Sequence, residues 1–220
     1  MKFSRFFKHP VFTSIAIGIV VGAGAPPSIP IWAKFFIPKT TYSDVDHRGY
    51  DVQADFSTVV KNVRWDRLKV ASLDFENWKK MGATGVNEMI IVERYSTDHL
   101  LVWVHMSASG ASSKHFYDVW VFDEISGPGT FGNTFQLVHP TKTYKDSKGR
   151  TLPDSPAFSF MQGSWYLQSR PGNEAAIRYF VDATVASGIP SFLVGPIASR
   201  SMARSIRDLI EALAKSAQVR

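Results

Sequence analysis

Between residues 86 and 183 the chain runs through six short apolar segments in succession: VNEMIIVERY, HLLVWVHMS, HFYDVWVFDEI, TFQLVHP, SWYLQS and AAIRYFVDA. Turn-forming stretches such as STD, SGPGTFGN, DSKGRTLPDSP and RPGNE separate them. Consecutive strands joined by polar turns pair as hairpins, so this region predicts an antiparallel meander. A further strand precedes it. In YDVQADFSTVVK, Val52, Ala54, Phe56, Thr58 and Val60 share one face, and Gln53, Asp55 and Ser57 lie on the other. Between that strand and the meander, WDRLKVASLDFENWKKM carries Trp65, Leu68, Ala71 (or Ser72) and Phe75 at helical spacing, and Gly82 and Gly85 end it. The chain closes on a long helix, amphipathic from Met202 through Ile206, Leu209, Ile210 and Leu213.

This order predicts an α+β fold in which a curved antiparallel sheet of seven strands wraps around the C-terminal helix. A meander needs its concave apolar face covered, and the final helix is the available cover. A sheet that grips a helix encloses a space, which is either packed or hollow. The stretch GIPSFLVGPIAS makes that choice matter. A helix that only capped a core would need one apolar stripe, yet this one begins almost wholly apolar with Gly195-Pro196 set into its first turns.

The composition supports a large core. Of 220 residues 45% are hydrophobic, including 16 Phe, seven Tyr and six Trp. Cysteine is absent, which excludes disulfides, thiolate metal sites, a cysteine nucleophile and a lipoprotein anchor. Residues 1–33 stand apart. Lys2, Arg5 and Lys8 precede an uncharged run from Val11 to Ala25, with small residues at Ala23-Gly24-Ala25. That is the layout of a secretory signal. Pro26 opposes a cut directly after Ala25, so cleavage shifts towards Ala33 or the segment stays as an N-terminal membrane anchor. Either way, export to the periplasm, or anchoring at the inner membrane facing it, is the expectation. Residues 34–44 then read as a linker, and 45–217 as the folded domain. Residues 1–33 hold three of the 25 basic side chains and none of the 19 acidic ones, which leaves the remainder at +3. No basic block with interleaved aromatics survives there, and nucleic acid is not expected as a partner.

Three stretches resemble the START-like (helix-grip, SRPBCC) superfamily, which includes lipid-transfer domains and polyketide cyclases, and in particular its bacterial START-type lipid-binding proteins. LDFENW, Leu73 to Trp78, is similar to the acidic-aromatic segment that follows the family's first helices. GSWYL, Gly163 to Leu167, is similar to its Gly-x-Trp strand. IRYFVDATVASGIPSFLV resembles its Tyr-containing strand, glycine turn and Ile-Pro lead-in to the last helix, through Tyr179, Gly188, Ile189 and Pro190. The likeness covers about residues 45–215. It implies a helix-grip fold with a hydrophobic tunnel between sheet and C-terminal helix, holding a lipid, sterol, quinone or polyketide. Members often carry arginines near the positions of YDVWVF and AFSFMQ; their absence here removes polar anchors and points away from a charged ligand. Such a tunnel gives the apolar start of the last helix a purpose as a deformable roof. The alternative is a proline that merely sets the helix start.

The chemistry-bearing residues fit binding better than turnover. His99, His105 and His115 match no metal-ligand spacing, and no nucleophile elbow, phosphate loop or dinucleotide fingerprint is present, so neither metal nor cofactor is expected. The ligand-contact candidates are Trp103, His105, Trp120, Phe122, Trp165 and Tyr179 in the strands, with Phe192, Leu193 and Ile197 from the start of the last helix. Each has core packing as its alternative role, and His105 has a hydrogen-bonded core or surface position. Arg94 and Arg178 read better as ion-paired than as head-group contacts. The expected partners are a hydrophobic small molecule or lipid and a membrane surface at which it exchanges; a monomer is expected. A cyclase or aromatase using the same cavity is the second reading, with His105 and Tyr117 or Asp118 as its acid/base pair. A packed interaction module without a cavity is the third. The glycine-rich SGPGTFGN loop and the first turns of the last helix, near Thr130 and Ser199, are the expected gate.

Overall fold

A computed structural model describes residues 42–108, 111–125, 127–186 and 191–219. The export segment, residues 1–33, therefore lies outside the described residues. Eight strands form one sheet: β1 (Tyr42–Arg48), β2 (Asp51–Val60), β3 (Val86–Arg94), β4 (His99–Ala108), β5 (Ala111–Asp123), β6 (Thr130–Val138), β7 (Phe158–Arg170) and β8 (Glu174–Val185). Their order is β1-β2-β8-β7-β6-β5-β4-β3, with every neighbouring pair antiparallel. The meander from β3 to β8 is thus as expected, and β2 closes onto β8.

The sheet has one strand more than the expected seven. β1 begins at Tyr42, inside the stretch read as a linker, and pairs along its length with β2 from Tyr42↔Ser57 to Arg48↔Asp51. Its sequence, YSDVDHR, is too polar to alternate. As an edge strand it takes its order from β2's backbone and adds Val45 to the core.

Helix α1 (Trp65–Leu73), a short 3₁₀ turn (Phe75–Asn77) and α2 (Trp78–Met81) connect β2 to β3. What reads in sequence as one helix is broken at Asp74, whose φ of −81° and ψ of 55° leave the helical region. Gly82 ends α2 in a left-handed conformation, φ +107°, and its N–H closes the helix on the carbonyls of Lys79 and Trp78. Helix α3 (Ser191–Ser216) lies across the concave face, packing on β1, β2 and β8 and on α1 and α2. Its buried stripe is Ile206, Leu209, Ile210 and Leu213. Pro196 is the sixth residue of α3, beyond the four N–H groups that every helix leaves without an internal partner, so it removes a hydrogen bond from the second turn.

The main core fills the space between sheet and helices. Val102, Leu167, Ile177, Val181 and Leu213 in it are wholly buried. A second cluster sits on the opposite, convex face, where Leu101, Trp103 and Phe116 are covered by Tyr144 and Leu152. Those two come from residues 139–157, which fold back over β4 and β5. Paired hydrogen bonds between Lys114 and Ser155 (3.2 and 2.6 Å) fasten that segment, as does the Trp103 indole donating to the Pro153 carbonyl at 2.9 Å. The sheet is therefore apolar on both faces at this end. Among the described residues no helix is long and apolar enough to cross a membrane.

Candidate functional site

Six aromatic rings form a continuous path across the concave face. The segment LDFENW supplies the first two: Phe75 and Trp78 pack edge to face with centroids 5.1 Å apart. The Trp78 indole donates to the Ala71 carbonyl at 3.0 Å, which fixes its rotamer against α1. Trp78 then meets Trp165 of β7 at 6.1 Å, Trp165 meets Tyr179 of β8 at 4.6 Å, Tyr179 stacks on Phe135 of β6 at 6.0 Å, and Phe135 meets Tyr117 of β5 at 5.0 Å. Gly163 makes the middle of this path possible. A Cβ there would stand 2.3 Å from Phe135 Cζ and 2.4 Å from the Phe180 carbonyl oxygen, so only glycine leaves the Phe135 ring its place.

These rings line a cavity of about 100 Å³ between the sheet and α3. Val86, Met89, Val104, Met106, Val119 and Met161 add to its strand side, and Ser205, Ile206 and Leu209 of α3 close it opposite. No carboxylate, imidazole, amine or guanidinium is among the described residues that line it. Its titratable groups are the hydroxyls of Tyr117 and Tyr179. Burial pushes both upward, so both stay protonated at neutral pH. The Tyr117 hydroxyl is 2.8 Å from Met161 Sδ. Among the described wall residues Asn133 is the single amide, 1% exposed.

Of the residues expected from sequence to meet a ligand, Trp165 and Tyr179 stand side by side in this wall. Trp103, His105, Trp120 and Phe122 do not, which corrects the sequence reading. Val104 and Met106 of β4 and Tyr117 and Val119 of β5 face the cavity, so strand alternation sends the residues between them to the convex side. There Trp103 packs with Phe116 and Leu152. His105 Nε2 lies 3.1 Å from Ser112 Oγ and 3.3 Å from Asn87 Nδ2. Burial, and then Lys114 nearby, hold its imidazole below the usual histidine value. Trp120 stacks on His99, with centroids 3.8 Å apart and planes within 13°, and its indole donates to Asp118. Phe122 shares Trp120's face. His105 and Asp118 thus lie on the other side of the sheet from Tyr117; along that side His105 stands opposite Lys114, whereas Asp118 stands opposite Leu101 and bonds to His99, so neither named pair is brought together. The side chains of Phe192, Leu193 and Ile197 lie outside the described residues.

The expected gate is corrected as well. Val194, near the start of α3, packs on Val52 and beside Val185, where β2 begins and β8 ends. Thr130 pairs with Gln168, near the opposite end of the strands, and is buried. The SGPGTFGN loop and the first turns of α3 therefore sit at different ends of the sheet. The rim that α3 shares with the cavity is at β3 instead: Thr84 Oγ1 donates to Asp208, and Ser205 packs on Gly85. Arg178 is ion-paired as expected, its Nε donating to Asp55 Oδ1 at 2.9 Å on the convex face.

Tyr117, named from sequence only for the cyclase reading, is in the wall, and sequence reasoning missed Phe75, Trp78, Met89, Asn133, Phe135 and Met161 as wall residues. The signal that finds most of them is parity with Trp165 and Tyr179. The antiparallel register carries their face across to Phe135 and Tyr117, but the register itself is not written in the sequence.

An eight-stranded antiparallel sheet folded onto a C-terminal helix, with an apolar cavity between them, matches solved structures over most of the chain. The chain has a START-like helix-grip fold. Human STARD10 matches with a TM-score of 0.60 at 12% identity, over 79% of this chain and 73% of that one. The Zhui aromatase/cyclase from Streptomyces sp. R1128 matches with a TM-score of 0.59 at 11% identity, over 76% and 93%. A STAR-related lipid transfer protein from Xanthomonas axonopodis matches with a TM-score of 0.57 at 13% identity, over 80% and 99%. No protein-family model and no curated protein sequence matches the chain. The START-like fold thus spans neighbours described as lipid-transfer proteins and neighbours described as aromatase/cyclases.

Proposed function

We propose that the protein binds a hydrophobic ligand in the cavity between sheet and α3, and carries it within the cell envelope. The observation that carries this reading is a cavity walled by aromatic and aliphatic side chains with no charged group among those described. Apolar surface moved from water into such a site contributes about 25 cal/mol per Å², so about 100 Å² of ligand surface contributes about 2.5 kcal/mol. The cavity is smaller than the roughly 300–1,000 Å³ usual for a drug-sized ligand. Met89, Met106 and Met161 are unbranched and adaptable, and give the wall room to yield on binding. Phe192, Leu193 and Ile197 are proposed to extend the roof.

Binding is favoured over catalysis because general acid/base chemistry needs a group that titrates near the working pH. The two hydroxyls in the wall are pushed away from that range. The uncharged run from Val11 to Ala25 behind a basic flank supports export, or anchoring at the inner membrane; ligand exchange at a membrane surface by a monomer is part of the same proposal.

Native mass spectrometry of protein purified from membranes, followed by solvent extraction, tests the reading. A co-purifying hydrophobic molecule, displaced stoichiometrically by the apolar fluorophore diphenylhexatriene, is the expected result. Well-folded protein that carries nothing and binds no fluorophore would establish a packed module instead.

A further inference from the structure

We infer that the cavity selects a neutral ligand bearing one hydrogen-bond-accepting oxygen, a carbonyl, ester or alcohol, and that the side-chain amide of Asn133 receives it. This rests on the ligand-binding reading above and narrows it to a chemical class.

Asn133 sits in the middle of β6, opposite Val121 of β5 and Trp165 of β7. Alternation along β6 points Phe131, Asn133, Phe135 and Leu137 to the concave side, so one amide interrupts a row of apolar residues. Its Nδ2 is buried and meets no acceptor of the protein. Among the described wall residues it is the only one with a buried polar atom in that condition. The remaining polar groups of the wall differ in kind. Thr84 is bound to Asp208, Ser205 packs on Gly85 at the rim, and the Tyr117 hydroxyl is held against Met161. The Tyr179 hydroxyl lines the cavity beside Trp165.

An orphaned amide in an apolar wall costs stability that a leucine of the same branched shape would not. Asn133 belongs to the cavity wall, and a ligand oxygen that reaches its Nδ2 supplies the partner this nitrogen lacks. The ligand oxygen must be uncharged, because no cation among the described residues lines the wall to balance a carboxylate or phosphate, and an unpaired buried anion is strongly disfavoured.

The test uses displacement of diphenylhexatriene by three probes of equal chain length delivered from cyclodextrin: 2-tridecanone, tridecane and tridecanoate. Wild-type protein should prefer the ketone to the hydrocarbon by about tenfold, and should bind tridecanoate more weakly than the ketone at pH 7.5. Asn133→Leu should unfold at a higher temperature and reverse the preference, binding the hydrocarbon more tightly than the ketone, because the ketone oxygen would then be buried without a donor. The infrared carbonyl stretch of bound 2-tridecanone should move to lower frequency in wild type, independently of any variant. Equal affinity for ketone and hydrocarbon in wild type, or an unchanged preference in Asn133→Leu, would overturn the assignment while leaving the cavity reading intact. Absence of diphenylhexatriene binding to folded wild-type protein would overturn both.

Discussion

Trp165 and Tyr179 face each other directly across the β7–β8 ladder, ring centroids 4.6 Å apart and planes inclined at 55°, with both rings open to the cavity. They are cross-strand partners and ligand wall at once. The pair therefore couples the stability of the sheet to the shape of the site.

Trp165→Ala should lower stability by about 3 kcal/mol, at the lower end for a buried tryptophan because one side of the ring already borders open space. It should also change the affinity for diphenylhexatriene. Urea unfolding together with a fluorescence titration checks both, and lost stability with unchanged affinity would remove Trp165 from the site.

Gly163→Ala adds one methyl group that finds Phe135 Cζ at 2.3 Å and the Phe180 backbone oxygen at 2.4 Å. A backbone atom cannot step aside as a flexible side chain would, so the expected cost is about 3 kcal/mol or more. Thermal unfolding measures it. The double variant Gly163→Ala/Phe135→Leu should recover part of the loss, because the leucine vacates the ring's tip.

Stability should fall as pH drops from about 6.5 towards 4, through His115. This side chain is fully buried, its Nδ1 lies 2.8 Å from Ser113 Oγ, and burial brings its pKa down to about 4. The unfolded chain therefore takes up a proton that the folded chain refuses. Stability is fully present above the unfolded value, is lost as pH falls between 6.5 and 4, and levels off below that. The contribution is up to about 3 kcal/mol. Urea midpoints across this window should show a shallower slope in His115→Gln than in wild type.

The seam between α3 and the start of β3 should be the moving edge of the site. A Cβ at Gly85 would lie 3.4 Å from Ser205 Cβ, close to the separation of a disulfide. The chain has no cysteine to interfere. Gly85→Cys/Ser205→Cys carries strain from the φ of +80° at position 85, so its folding is checked first in the reduced state. Oxidation should then slow exchange of diphenylhexatriene into lipid vesicles, and a reductant should restore it. Equal rates with the bridge formed would place the opening elsewhere.

Residues 1–33, fused to a reporter active only outside the cytoplasm, should switch it on. N-terminal sequencing of the product separates a cleaved signal from an anchor. A silent reporter at normal expression would count against envelope placement.

The local half of this structure was legible in the sequence. Val52, Ala54 and Phe56 alternate because β2 buries one face, and the six runs after Gly85 pair in chain order, through short turns except for residues 139–157 between β6 and β7. The stripe Ile206, Leu209, Ile210 and Leu213 marked α3 as the cover. Even the likeness in LDFENW and GSWYL pointed at wall residues, since Phe75, Trp78 and Trp165 all reach the cavity.

Only the tertiary structure decided which face of each strand looks inward. Alternation groups Trp120 with Phe122 and Trp165 with Leu167, but it does not say which group meets α3. Usually the apolar face settles that. Here residues 139–157 fold over Leu101, Trp103 and Phe116 and make the convex face apolar too, so the two faces read alike in sequence. β1 was invisible for the complementary reason. Its hydrogen bonds come from β2's backbone, and an edge strand of polar residues leaves no hydrophobic signature. Asn133 shows the limit most clearly. In sequence it is one amide among several; the register of β6 between β5 and β7 alone turns it from an ordinary polar residue into the amide that faces the cavity.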